Sequence, residues 1–335
     1  MKKSFVALFV LLFVCVAGAC GSIYAPKTDE GEALQDGQAV HEEEPKEVYY
    51  LVGMHIILPY WQDHRSGFEA AGEELGVNIV FTGENGNDAL RQIDIFEQVV
   101  KKEPKPAGIL VSPIDKEAMI GPINDAIAKG IPVACIDNDA PGSNRLTYFG
   151  TDNYKSGYLA AEIIGEKLGG SGDVGILTIQ GLYSLDERQR GFEECIAEKY
   201  PGINIVAVMD DEADPSVAAN MAKRMLDEYP SITGMFGTDA ASGVGAAIAL
   251  EEKGKLGVVK VVAFDKDSSV LELVEQGKIE ATLVQRTFSM SYYGLKLLYD
   301  YNHNPKLKNE GISMLPDKVD TGIIVVKKEN AGSFY

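Results

Sequence analysis

The sequence predicts an α/β protein built as two doubly wound parallel-sheet lobes, and three observations carry that prediction. From Val77 onward apolar residues alternate between a period of two and a period of 3.6 with little interruption, the pattern of strands wound between helices. The strand candidates are too many for one open sheet of ordinary size, so two sheets in two lobes accommodate them better. Polar residues also recur at the ends of strands in both halves, which is where open α/β sheets hold their ligands.

The first element is expected over Val48 to Leu58, an apolar run rich in β-branched and aromatic residues that Pro59 stops. A helix follows, with Phe68, Ala71 and Leu75 on one face and Glu69, Glu73 and Glu74 largely turned to water. Between the two lies a polar-aromatic loop of Tyr60, Trp61, Gln62, Asp63 and His64, which holds the single tryptophan of the chain. Further strands are predicted at Val77–Phe81, Ala107–Ser112, Ile131–Ile136, Val174–Ile179, Ile203–Met209, Ile232–Phe236, Val258–Phe264 and Ile279–Val284. Helical stripes lie between them: Leu90, Ile93, Phe96 and Val100; Met119, Ile123 and Ile127; Leu159, Ile163 and Leu168. A break between lobes fits Leu146 to Asn153, after the Gly142-Ser143-Asn144 turn, although the residues show no close internal repeat.

Candidate site residues are the polar groups that close these strands: Ser112, Asp137 and Asn138, Asp239, Asp265, and Gln285 with Arg286. Any single strand-terminal carboxylate is explained as well by a helix N-cap, and Asp239 is the one that reading suits best. The recurrence in both halves points instead to a ligand held between two lobes. His55 and His64 have no third ligand at a metal-binding spacing, so no metal is expected. Gly243-Val244-Gly245 lacks the rest of a nucleotide fingerprint and reads as close helix packing; no cofactor is expected.

The amino terminus has its own logic. Lys2 and Lys3 precede an apolar run from Phe5 to Val16 and then Ala17-Gly18-Ala19-Cys20, so residues 1–20 read as a signal peptide. No other stretch approaches roughly 20 apolar residues, so no transmembrane helix is expected. Residues 21–47 carry eight acidic residues against Lys27 and Lys46 and no periodicity, as a disordered acidic tether would. The net charge of -19, with no cluster of Lys and Arg, argues against nucleic acid as a partner. Cys135 and Cys195 read as small core residues.

Taken in order, Leu58-Pro59-Tyr60-Trp61, Gly108-Ile109-Leu110-Val111-Ser112-Pro113, Gly130-Ile131-Pro132-Val133, Gly150-Thr151-Asp152-Asn153, Glu187-Arg188-Gln189-Arg190-Gly191-Phe192, Val262-Ala263-Phe264-Asp265 and Ala281-Thr282-Leu283-Val284-Gln285 make the chain resemble a type I periplasmic binding protein of the ribose/galactose class. That resemblance implies a three-segment hinge crossing near Thr151, near Gln285 to Arg286 and near Met314 to Lys318. One lobe would then comprise 48–150 plus 286–316 and the other 151–285 plus 317–335. It implies sugar contacts at Tyr60 and Trp61 by ring stacking, and at Asp137, Asn138, Arg188, Asp265 and Gln285 by hydrogen bonds, with Ser112 and Thr151 as weaker polar positions. The ribose pattern is broken at Leu58, at Asn138 and around Ala213, which leaves the sugar class but not ribose as the implied ligand. Ala17-Gly18-Ala19-Cys20 likewise resembles a bacterial lipobox, with Cys20 as the acylated residue. The implied protein is a monomeric, extracytoplasmic lipoprotein, held at the cell membrane by its lipid alone, that delivers a monosaccharide or polyol to an ABC permease.

Three other readings compete. A regulator of the same fold would need a basic helix-turn-helix where this chain has a signal and an acidic segment. An enzyme acting on sugars could use Asp137 and Asp265 as a carboxylate pair, but residue type alone supports it, and the chain is read as no enzyme. A ligand-binding subunit for a chemoreceptor or histidine kinase would have the same sequence features.

Overall fold

In the computed structural model residues 46–310 and 314–334 are described. The signal peptide, Cys20 and nearly all of the acidic segment lie outside the described residues. The tether boundary at Glu47 is corrected: its backbone oxygen accepts Asn78 N–H at 2.9 Å, and Tyr49 Oη donates to its carboxylate at 2.8 Å.

The first sheet is built from β1 (Val48–Gly53), β2 (Asn78–Gly83), β3 (Gly108–Val111), β4 (Val133–Ile136) and β5 (Tyr148–Gly150), with α1 (Tyr60–Leu75), α2 (Ala89–Val100) and α3 (Ile120–Ala128) between them. The second contains β6 (Ser171–Thr178), β7 (Gly202–Asp210), β8 (Ile232–Gly237), β9 (Lys260–Phe264) and β10 (Ala281–Gln285). Its helices are α4 (Asn153–Leu168), α5 (Tyr183–Lys199), α6 (Pro215–Glu228), α7 (Ala240–Glu252) and α8 (Ser268–Glu275). The chain then returns through α9 (Thr287–His303) and α10 (Pro305–Glu310) to β11 (Lys318–Asp320) and β12 (Ile323–Val326). The strand orders are β11-β5-β4-β3-β1-β2 and β12-β10-β9-β8-β6-β7, so the two lobes share one strand order although their residues do not repeat. All pairings within these sheets are parallel except β12 on β10. Central strands such as Gly108–Val111 and Val133–Ile136 are buried at every position, which is why they read as continuous apolar runs.

Three expectations change. The first strand ends at Gly53, not Leu58, because His55 takes a left-handed φ of 45° and Leu58 N–H closes a turn onto His55 O at 2.9 Å. Pro59 opens a helix instead of stopping a strand, since its missing N–H costs nothing in a first turn. Tyr60 to His64 therefore lie on α1 and not in a loop. The last crossing moves as well: Lys318–Asp320 pairs with Tyr148–Gly150 of the first sheet, and the chain changes lobe at Thr321–Gly322. The buried Arg145 guanidinium, ion-paired to Asp139, holds this segment down by donating to Asp317 Oδ1 at 3.0 Å. The other two crossings fall at Thr151 and Arg286, between β5 and α4 and between β10 and α9.

Close helix contacts decide where the functional side chains sit. Gly157 on α4 faces the backbone of Arg188 so closely that a Cβ would lie 1.8 Å from Arg188 O, and Gly191 on α5 meets Tyr154 O in the same way at 2.0 Å. Side chains at either position would push α5 and its arginine out of place. Gly245 on α7 packs against Ala218 of α6, as the helix-packing reading of Gly243-Val244-Gly245 expects. Cys135 and Cys195 are free thiols buried in the core.

Candidate functional site

The carboxyl ends of strands from both sheets meet around a cavity of about 310 Å³. Of the residues singled out in the sequence, Tyr60, Trp61, Asp137, Asn138, Arg188, Asp239, Asp265 and Gln285 line it. Ser112 and Thr151 do not. Each stands one layer behind: Ser112 Oγ donates to Asp137 Oδ2 at 3.1 Å, and Thr151 Oγ1 donates to Gln285 Oε1 at 2.9 Å.

Two aspartates mark matching places in the two sheets. Asp137 follows β4 with φ 62°, Asp265 follows β9 with φ 64°, and both sit in the left-handed region that few side chains tolerate. Neighbouring strands hold them there by the same pair of bonds. Asp137 N–H reaches Phe149 O at 2.9 Å and Tyr148 Oη reaches Asp137 O at 2.7 Å; Asp265 N–H reaches Leu283 O at 2.9 Å and Thr282 Oγ1 reaches Asp265 O at 2.6 Å. The strain turns both carboxylates out of the sheets toward the cavity.

Around Asp137 three donors converge: Tyr60 Oη at 2.6 Å on Oδ1, with Ser112 Oγ at 3.1 Å and Asn138 Nδ2 at 3.2 Å on Oδ2. Burial first, and the Asp137 carboxylate second, push the Tyr60 phenol well above its usual range, so it stays a donor. Gln285 Nε2 donates to Asp265 Oδ1 at 3.0 Å and to Tyr60 Oη at 3.1 Å, which links the two carboxylates across the hinge. Asp265 is pushed up to about 6 by burial, with Arg188 and Gln285 pulling it down and Asp137 adding to the push.

Arg188 supplies the positive charge. It is 2% exposed, and its Nε donates to Asn153 Oδ1 at 2.9 Å and its Nη1 to Thr238 O at 2.7 Å. Its guanidinium carbon lies 3.9 Å from the centre of the Phe264 ring. A planar cation fixed on three sides is a rigid donor for whatever fills the cavity.

Asp239 is both cap and wall. Its Oδ1 accepts Ala241 N–H at 2.7 Å and Ser242 N–H at 2.9 Å at the start of α7, while its Oδ2 is buried without a partner. Asp211 lies beside it, accepting Ser242 Oγ at 2.5 Å. Burial raises both carboxyls, and Asp239 raises Asp211 further.

Trp61 is less available than a stacking platform should be. It is 2% exposed, stacked on His64 with ring centres 4.6 Å apart, and part of an apolar cluster that draws on both lobes. His64 Nδ1 bonds Ser291 Oγ at 2.8 Å, and burial pushes this imidazole down to about 4. A base with a lowered folded pKa binds more protons unfolded, so stability rises with pH between about 4 and 6.5 and is lost on acidification. On going from pH 6.5 to 4.5, wild type is expected to lose about 2 kcal/mol more unfolding free energy than His64→Gln. Urea titrations of both proteins at both pH values check this, and parallel losses would rule it out.

Several lining residues are absent from the sequence-based set. Lys266 Nζ pairs with Asp63 Oδ2 at 2.6 Å, and Ser184 N–H donates to Asn138 Oδ1 at 3.1 Å, both across the cleft. Met54, Ile179, Leu182, Leu185 and Val244 add apolar surface. The β6 group could have been found by noting that β6 occupies in the second sheet the place β1 has in the first.

The family model described as a periplasmic binding protein domain matches residues 50–305. The D-allose-binding periplasmic protein of Escherichia coli (strain K12) is 29% identical over 269 residues, covering 77% of this chain and 86% of that protein. Among solved structures, a sugar-binding protein of a sugar ABC transporter from Bacillus halodurans is 35% identical with a TM-score of 0.78, covering 86% of this chain and 100% of that one. An arabinose binding protein from Geobacillus stearothermophilus is 38% identical with a TM-score of 0.75, covering 87% and 100%. With its two lobes, its shared cavity and these relatives, the chain belongs to the periplasmic binding protein family, as a type I sugar-binding member of the kind that serves ABC transporters.

Proposed function

We propose that the protein captures a monosaccharide or related polyol in the cavity between its lobes and hands it to an ABC permease. One observation carries the reading: two left-handed aspartates at matching strand ends, one from each lobe, line the same cavity as a fixed arginine. A sugar's hydroxyls each donate and accept, and buried without partners they would cost a few kcal/mol apiece. Asp137 and Asp265 accept, while Arg188 and Asn138 donate; charged partners replace water most strongly. The lobes close about the crossings at Thr151, Arg286 and Thr321–Gly322, with Gln285 as the link between them. The protein binds its ligand and releases it unchanged. A thermal-shift panel of monosaccharides and polyols tests the proposal, since a ligand at 100 times its dissociation constant adds about 2.7 kcal/mol of stability. No shift with any member of the panel would overturn it.

Members of this family work outside the cytoplasm. Our reading adds that Cys20 is acylated and that the acidic segment after it separates a monomeric fold from the membrane. Cys20→Ser is then expected to move the protein from the membrane fraction to the soluble one with ligand affinity unchanged. Membrane association that survives the substitution would sink the anchor.

A further inference from the structure

We infer that the ligand is a sugar or cyclitol carrying an apolar substituent, such as a deoxy carbon, an O-methyl group or a small alkyl aglycone. The inference rests on the sugar reading above and narrows it. The cavity has two kinds of lining. Tyr60, Asp137, Arg188, Asp265 and Gln285 form the polar set already described. Leu58 and Met54 from the first lobe and Ile179, Leu182, Leu185 and Val244 from the second form an apolar one.

Apart from Leu58 and Val244, the apolar residues are contiguous. Met54 and Trp61 belong to one continuous buried cluster with Ile179, Leu182 and Leu185, and Ala213 packs against it, so the apolar surface runs from lobe to lobe across the cleft. The segment that brings Ala213 there is a built feature. Glu212 and Ala213 take consecutive left-handed φ values of 55° and 56°. Glu212 N–H bonds Asp210 Oδ1 at 2.9 Å, and Ala213 N–H bonds Asp211 Oδ1 at 3.2 Å. Two such residues in a row persist only where their surroundings hold them, and here they put a methyl group on the cavity wall.

The side chains of Leu58, Ile179, Leu182, Leu185, Ala213 and Val244 offer a hydroxyl no hydrogen-bonding partner. Of the polar residues at the edge of this surface, Asp239 has its Oδ1 taken by the α7 cap. A hydroxyl laid against such a wall would give up water and gain nothing. A methyl or methylene group there gains apolar burial instead, and one such group in an apolar pocket discriminates by tenfold or more.

Isothermal titration of matched pairs tests this: D-galactose against D-fucose, D-glucose against 6-deoxy-D-glucose, myo-inositol against its monomethyl ethers, and each parent sugar against its methyl glycoside. In at least one pair the substituted member is expected to bind tenfold tighter or better than its parent. Leu58→Asn, in a half-exposed loop, and Val244→Thr, which keeps the side-chain shape, are each expected to cut that ratio at least threefold. Parents that bind as well as or better than every substituted partner would overturn the inference while leaving the sugar reading intact. So would a ratio that neither substitution changes. Binding by no member of any pair would overturn both.

Discussion

Asp137→Ala is expected to weaken ligand binding by a hundredfold or more, about 3 kcal/mol, measured by titration calorimetry with whichever sugar the thermal-shift panel identifies. The size follows from what the carboxylate organises. Tyr60, Ser112 and Asn138 all donate to it, so its removal takes an acceptor from the ligand and leaves three donors around the cavity without their partner. Asp137→Asn keeps the shape and loses the charge, and should fall between Asp137→Ala and wild type. Affinity within threefold of wild type in Asp137→Ala would show that the ligand does not meet this wall.

The largest stability effect is expected at Arg188. Its replacement by Ala should lower the unfolding free energy by about 3–5 kcal/mol and abolish binding as well. Arg188 is among the largest fully buried side chains of the described residues. Truncation opens a void against Phe264 and leaves Asn153 Oδ1 and Thr238 O without their donors. It also removes the charge that pulls Asp265 down, so that carboxyl rises further and protonates nearer neutral pH. Arg188→Lys separates the two roles, because it keeps a charge and loses the fork that reaches both partners. A urea midpoint unchanged in Arg188→Ala would contradict a structural role, whatever happened to binding.

Much of this site could be read from residue order, because a parallel strand ends where its apolar run ends and the next polar residue then stands at the mouth of the sheet. Asp137, Asp265 and Gln285 were legible for that reason. The run Val48 to Leu58 misleads because Met54 to Leu58 stay apolar after the strand has stopped, and the left-handed turn at His55 leaves no mark in hydrophobicity. Trp61 looks like a platform by type, yet beside His64 of its own helix its neighbours Gly53 and Phe81 come from separate strands, and only folding encloses it. Ser112 reads as a strand end and Thr151 as a crossing, but whether such a residue faces a ligand or braces the one that does depends on a partner 25 or 134 positions away. β11 and β12, three and four residues long, are too short to show any period.

The late crossing at Thr321–Gly322 has a consequence for how the protein is made. The first sheet begins with Val48–Gly53, but its outer edge is Lys318–Asp320, and α1 packs along α9. A nascent chain that has just delivered Gln285 therefore holds a first lobe still lacking a helix and an edge strand. Its second lobe, begun a hundred residues later, lacks only β12 from its sheet. The first sheet closes at Lys318–Asp320 and the second at Ile323–Val326, so neither lobe is complete until this late segment has been made, and the two mature almost together although they are begun a hundred residues apart.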